Sequence, residues 1–229
     1  MDRLRARSRP DMTDDLEAVY AHRFGTSEQA GKDRLWPPIV AYLSRYFVDG
    51  PVLDIACDRG YFIRNVTGHE RWATDLRDVS HELSPDIRFV LANGLELTQT
   101  LPSGHFGVAF MSNYLEHLPT RDAVIDQLKV ARDLVRPGGR VLVLQPNIRL
   151  IGGAYWDFID HKVALTERSL QEAGEAAGLA THALVTRFLP YTTKSRLPQH
   201  PAFVEAYLRF PPAWRLLGKQ TLYVGERPA

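Results

Sequence analysis

An α/β fold with a mainly parallel sheet is predicted by three observations on this 229-residue chain. Apolar runs at 52–56, 71–76, 87–92, 107–111 and 140–144 are separated by turns and by segments of helical spacing, the pattern of strands joined by crossovers. The first run leads into an acidic residue and a tight turn, Asp54-Ile55-Ala56-Cys57-Asp58-Arg59-Gly60. A second acidic residue, Asp75, ends the next run 21 residues after Asp54. In open sheets of this kind ligands bind beyond the carboxyl ends of the strands, where the strand order reverses.

Composition narrows the function classes. Apolar residues make up 45% and charged residues 24% of the chain, which excludes disordered and fibrous classes. Lys and Arg total 28 against 27 Asp and Glu, a net charge of +1, so no nucleic-acid partner is expected. The single cysteine, Cys57, forbids an intrachain disulfide and speaks against a cysteine-based zinc site; no metal is expected. No run approaches a membrane span, and MDRLRARSRPDM lacks the apolar core of a secretory signal. The expectation is a cytoplasmic protein without membrane contact, a monomer or homodimer.

The elements follow in order. Leu16, Val19, Tyr20 and Phe24 suggest a short helix, and the polar residues 26–33 read as a linker or lid hinge. Ile39, Val40, Leu43, Tyr46 and Phe47 then keep helical spacing behind Pro37, and Asp49-Gly50-Pro51 ends that helix. After the strands at 52–56, 71–76, 87–92 and 107–111, Thr120 is a candidate N-cap for a helix carrying Val124, Leu128, Ala131 and Val135 on one face. Pro137-Gly138-Gly139 stops it and launches the strand at 140–144. A helix at 166–177 closes on Gly178, and strands are expected at 183–189 and 221–225. Between these two, residues 190–219 form an insertion with a helix-like stretch around 203–208.

The strand–turn segment at 52–62 carries the strongest chemical signal. A buried strand ending in a tight turn brings backbone N–H groups close to a ligand. Asp75 at the next strand end can accept hydrogen bonds from two ribose hydroxyls, the requirement for holding an adenosine group.

These residues resemble the class I S-adenosylmethionine-dependent methyltransferases over most of 36–185 plus the final strand. Asp54, Gly60 and Phe62 match the family's first motif, while Ala56 and Asp58 replace its first two glycines. FGVAFMSNYLEHL resembles the fourth-strand motif, with Gly107 where Asp is usual, and Leu134-Val135-Arg136-Pro137-Gly138-Gly139 matches the helix-to-fifth-strand motif. Pro146-Asn147 and YWDFIDHKVALTERSL are similar to a small-molecule subgroup of glycan and natural-product pathways. The resemblance implies a Rossmann-like sheet of seven strands in the order 3-2-1-4-5-7-6, strand 7 antiparallel, with helices on both faces. The expected division is a helical lid or tail at 1–35 and an S-adenosylmethionine-binding domain at 36–229, with residues 16–47 forming a helical cover over the cofactor and Tyr20 and Phe24 packing near its pocket.

The implied cofactor site comprises Asp54, Ala56, Cys57, Asp58, Gly60, Asp75, Leu76, Asn93, Gly94, Ser112 and Asn113. Ala56 tolerates close approach provided its backbone is not left-handed. Asp58 would repel the cofactor carboxylate or meet its ammonium group. Asn93 either accepts a hydrogen bond from the adenine amino group or forms a plain Asn-Gly turn. Cys57 reads as a small buried packing residue rather than a nucleophile.

For the acceptor, two rival histidines can serve proton transfer near neutrality. His117 follows the fourth strand with Glu116 before it, and Asp160-His161 lies in the aromatic stretch of Tyr155, Trp156 and Phe158. Either histidine can equally be structural. Arg187, Tyr191, Lys194 and Arg196 offer an anchor for an anionic acceptor, or simply a solvated basic loop. The reading is a methyltransferase for a small oxygenated metabolite, such as a sugar, a nucleotide-sugar or a natural product. The alternatives are a methyltransferase-like protein that does not methylate and a nicotinamide-dependent oxidoreductase. The second is disfavoured because Ala56-Cys57-Asp58-Arg59-Gly60 lacks the glycines a pyrophosphate needs.

Overall fold

The computed structural model describes residues 26–191 and 200–229. The chain forms one sheet of seven strands, β1 (Val52–Ile55), β2 (Arg71–Asp75), β3 (Ile87–Leu91), β4 (Phe106–Ser112), β5 (Val135–Pro146), β6 (Ala180–Val185) and β7 (Gln220–Glu226). Their order is β3-β2-β1-β4-β5-β7-β6. Strands β1 to β5 pair in parallel, and β7 runs antiparallel to β5 and β6, as the sequence implied.

Strand alternation sorts the core into two layers. Leu53, Ile55, Met111, Val141, Val143 and Tyr223 face α2 (Arg121–Leu134) and α4 (Glu167–Ala176). Val52, Val108, Phe110, Leu142, Leu222 and Val224 face α1 (Thr26–Leu43) and α5 (Pro201–Arg209). Successive residues of a strand point to opposite faces, so a continuous apolar run marks a strand covered on both sides. Two short helices, α3 (Ile148–Ile151) and α6 (Pro211–Leu217), complete the described set. None is long and apolar enough to cross a membrane.

Several boundaries depart from expectation. Residues 26–33, read as a linker, are the first turns of α1, which runs unbroken through the expected boundary at 35/36. Glu28, Gln29, Ala30 and Lys32 are good helix formers, and burial of Leu35, Ile39, Val40 and Leu43 against the sheet anchors the helix beyond Pro37 and Pro38. The helix expected around 16–24, with Tyr20 and Phe24, lies outside the described residues. The first three crossovers use 3-10 turns at Ile63–Asn65, Ser80–Glu82 and Gly94–Gln99 instead of full helices.

Thr120 does cap α2, its hydroxyl accepting from the Ala123 N–H at 3.1 Å. Strand β5 begins before Pro137-Gly138-Gly139 because Val135 already pairs with Phe106. The ladder resumes at Val108 with Arg140, so the intervening residues bulge. Strand β6 starts at Ala180, three residues earlier than expected, because Gly178 turns the chain at φ +82° directly after α4.

Gly107 stands near the amino end of β4, at the opposite edge of the sheet from the carboxyl ends of the parallel strands. A Cβ there would run into the Asp49 carbonyl oxygen and lie 2.7 Å from that of Val48. Its N–H donates to the Pro51 carbonyl at 2.9 Å. The glycine is explained by close passage of the α1–β1 loop.

Candidate active site

Strand β1 delivers Asp54, 3% exposed, to the carboxyl edge of the sheet. The turn that follows is left-handed at Ala56 (φ +56°), Asp58 (φ +51°) and Gly60 (φ +69°). The expectation that Ala56 avoids the left-handed region is therefore corrected: the backbone keeps the glycine-like conformation although two glycines are gone. The turn is stitched to β2, with the Cys57 N–H donating to the Thr74 carbonyl at 2.9 Å and the Asp58 N–H to Asp75 Oδ2 at 3.0 Å.

Arg77, which sequence reasoning passed over, ties these carboxylates together. Its Nη2 donates to Asp58 Oδ1 at 2.8 Å, and its Nε and backbone N–H donate to Asp75 Oδ1 at 3.2 and 3.0 Å. Burial pulls the guanidinium pKa down, but Asp75 and Asp58 outweigh it and hold it above the usual arginine value. The available signal was a cation two residues beyond Asp75, opposite the unexpected acid in the turn.

A cavity of about 800 Å³ opens over these strand ends. Asp54, Ala56, Cys57, Asp58, Asp75, Leu76, Gly94, Ser112 and Asn113 line it, while Gly60 and Asn93 do not. A Cβ at Gly60 would strike the Leu83 side chain, so this glycine serves the packing of the turn. The Asn93 side chain accepts from the Leu95 N–H at 3.1 Å and caps the Gly94–Gln99 turn, the plain-turn alternative. Cys57 is buried and unbridged, and burial first, with three nearby carboxylates, pushes its thiol up.

The two rival histidines are parts of one cluster. His117 Nδ1 lies 3.1 Å from the Asp160 carbonyl oxygen and 3.3 Å from Asp160 Oδ2, and the His117 and His161 rings are 5.1 Å apart. On its other side His117 Nε2 is 3.9 Å from Glu116 Oε1. Glu116, 1% exposed, accepts from Gln145 Nε2 at 3.0 Å. Burial raises its carboxyl pKa, against the lowering effect of His117. The segments meet because the N–H groups of Lys162 and Val163 both donate to the Glu116 carbonyl, at 2.7 and 3.1 Å. Tyr155, fully buried, braces the same segment by donating to the Val163 carbonyl at 2.6 Å. Among the described residues, Glu116, His117 and His161 are the group whose donor atoms, all within 4.8 Å, come near enough to share a metal ion.

The expected acceptor residues separate. His117, His161, Phe158 and Tyr191 line the cavity; Tyr155 is core behind it, and Trp156 lies half-exposed outside it. Arg187 does not line the cavity, and its guanidinium donates to the Gly218 carbonyl at 3.4 Å. Lys194 and Arg196 lie outside the described residues. Among the described residues, apolar side chains of α1, α5 and α6 and of Phe210 between the last two roof the cavity, Trp36, Phe203 and Tyr207 among them.

Charge completes the picture. Among the described residues lining the cavity, Asp54, Asp58, Asp75 and Glu116 face one guanidinium, that of Arg77. Burial drives the Asp54 carboxyl pKa well up, opposed by a hydrogen bond from Ile63 and reinforced by Asp75 and Asp58. Such a cavity suits a ligand that carries positive charge.

A family model described as a methyltransferase domain matches residues 28–184. No curated protein matches the sequence. Among solved structures, a Haloferax volcanii methyltransferase in complex with the Trm112 methyltransferase activator is similar at 16% identity, covering 92% of this chain and 98% of that one, with a TM-score of 0.66. An S-adenosylmethionine-dependent methyltransferase from Archaeoglobus fulgidus aligns at 16% identity over 82% of this chain and 92% of its own, TM-score 0.61. The geranyl diphosphate C-methyltransferase of Streptomyces coelicolor, in complex with Mg2+, geranyl diphosphate and S-adenosyl-L-homocysteine, aligns at 16% over 82% and 76%, TM-score 0.58. At these identities the likeness is one of fold.

Proposed function

We propose, given that the chain belongs to the methyltransferase domain family, that it transfers a methyl group to a hydroxyl of a small oxygenated metabolite, with His117 as proton acceptor. The cofactor is S-adenosylmethionine, which supplies an electrophilic methyl group on a sulfonium centre. Its sulfonium and ammonium charges fit a cavity richer in carboxylates than in cations.

Asp75 holds the ribose hydroxyls in this reading, and Leu76 and Gly94 flank the base. Asp54, Ser112 and Asn113 surround the amino-acid portion. Methyl transfer is an in-line displacement, so alignment supplies most of the acceleration. His117 adds a base. Asp160, on the Nδ1 side, selects the tautomer with its proton on Nδ1 and leaves the Nε2 lone pair free to accept the acceptor proton. As that proton arrives, Asp160 and Glu116 stabilise the imidazolium. The observation that carries this role is the 3.3 Å approach of Asp160 Oδ2 to His117 Nδ1.

The test measures S-adenosyl-L-homocysteine formation and cofactor affinity in parallel. His117→Ala should lower kcat by about 10²–10⁴ with cofactor affinity retained. Full turnover in that variant would remove the base from the mechanism.

A further inference from the structure

We infer that the methyl acceptor is an apolar molecule, bearing one polar reactive end and an extended hydrocarbon or aromatic body, rather than a sugar or nucleotide-sugar. The inference rests on the methyltransferase reading and specifies the substrate class of that same cavity. Among the described residues its charged groups lie at the strand ends and the Glu116–His117 corner, while the roof contributed by α1, α5 and α6 is almost wholly apolar.

The roof is built for this. Phe203, Val204 and Tyr207 recur at helical spacing and turn one face of α5 to the cavity, and Phe210, the residue that follows the helix, joins them. The charged pair Glu205–Arg209, at 2.6 Å, occupies positions outside that lining. Polar side chains of the roof helices are engaged elsewhere: the Tyr207 hydroxyl donates to the Phe188 carbonyl at 2.6 Å, and Trp214 Nε1 to the Tyr207 carbonyl at 2.8 Å. A sugar ring placed against these apolar side chains would surrender its water-bound hydroxyls and meet few partners among the described residues, which is unfavourable. An apolar body would instead cover Phe203 and Phe210, 59% and 61% exposed although they line the cavity, and the covering of wet apolar surface favours binding.

Size agrees. Small-ligand sites span roughly 300–1,000 Å³, and a single cavity of about 800 Å³ has room for a cofactor at the strand ends and a second molecule under the roof. Of the cluster expected to anchor an anion, Arg187 does not line the cavity, because that side chain points to Gly218.

The experiment uses the full chain and an uncharged fluorescent probe, N-phenyl-1-naphthylamine, displaced by farnesol, 1-dodecanol or glucose. The probe should bind, and the two apolar alcohols should displace it while glucose at equal concentration does not. Phe203→Ser and Phe210→Ser, both at exposed positions, should each weaken probe binding roughly tenfold and leave S-adenosylmethionine affinity unchanged by calorimetry. Displacement by glucose as effective as by farnesol, or probe affinity unaltered in both variants, overturns the inference. Failure of S-adenosylmethionine to bind the wild-type chain would instead strike the methyltransferase reading, and the two results are read separately.

Discussion

Arg77 Nη2 donates to Asp58 Oδ1 at 2.8 Å, so the carboxylate that stands in place of a family glycine has its counter-charge supplied from the end of β2. The same guanidinium holds Asp75. Removing it would leave two carboxylates facing each other across the turn. Arg77→Met should lower stability by about 1–3 kcal/mol, read from the denaturant midpoint. Asp58→Ala in the Arg77→Met background should recover part of that loss. Equal stability of wild type and Arg77→Met would mean that solvent alone satisfies both acids.

Left-handed backbone at Ala56 yields a second prediction. A non-glycine residue there carries a cost of roughly 1–2 kcal/mol, partly offset by the greater freedom of glycine in the unfolded chain. Ala56→Gly should therefore stabilise the protein by about 1 kcal/mol. A lower denaturation midpoint in this variant would show that the alanine methyl makes contacts worth more than the backbone cost.

The raised pKa of Asp54 gives a pH prediction with a definite sign. Its folded value lies above an unfolded value near about 3.9, so the folded state binds the proton more tightly. That contribution to stability is complete below the unfolded pKa and is lost as pH rises toward the folded value. Asp54→Asn should thus raise the stability of the ligand-free protein at neutral pH by about 1–3 kcal/mol, and flatten its pH dependence above pH 4 or so. The cationic cofactor favours the carboxylate, so its binding should release a proton, visible as a calorimetric enthalpy that changes with the buffer. A buffer-independent enthalpy would place Asp54 in its charged form before binding.

Gly107→Ala forces a methyl group into the Val48 and Asp49 carbonyls. Overpacking of this kind costs about 1–3 kcal/mol. Because Gly107 sits at the end of the sheet away from the cavity, cofactor affinity should be unchanged at temperatures where the variant is folded. Weakened binding by fully folded Gly107→Ala would imply that the α1–β1 loop helps shape the cavity.

Zinc should inhibit methyl transfer. Glu116, His117 and His161 present donor atoms within 4.8 Å of one another, and a metal seated there would take the His117 Nε2 lone pair that the proposed mechanism assigns to the acceptor proton. Inhibition should be reversed by a chelator and weakened in His161→Ala. Turnover indifferent to excess zinc would indicate that these donors cannot converge on one ion.

The sequence by itself determined the sheet. Runs such as 107–111 and 140–144 are apolar on both alternating faces, which demands strands covered on two sides, and the strand-ending acids Asp54 and Asp75 could be read off as neighbours at its carboxyl edge. Short-range chemistry was legible for the same reason: the Thr120 cap and the Gly178 stop depend on residues only a few positions away. Tertiary structure decided the rest of the site. Nothing local couples Glu116–His117 to Asp160–His161; they meet because Lys162 and Val163 hydrogen-bond to the Glu116 backbone across 46 and 47 residues of chain. Arg77 acquired its place only when the β1 turn folded beside β2. The roof formed when the insertion's α5 packed on α1, turning a stretch legible as a helix into the wall of a cavity. Local periodicity specifies which face of an element is buried, and only the packing of distant elements specifies what that face is buried against.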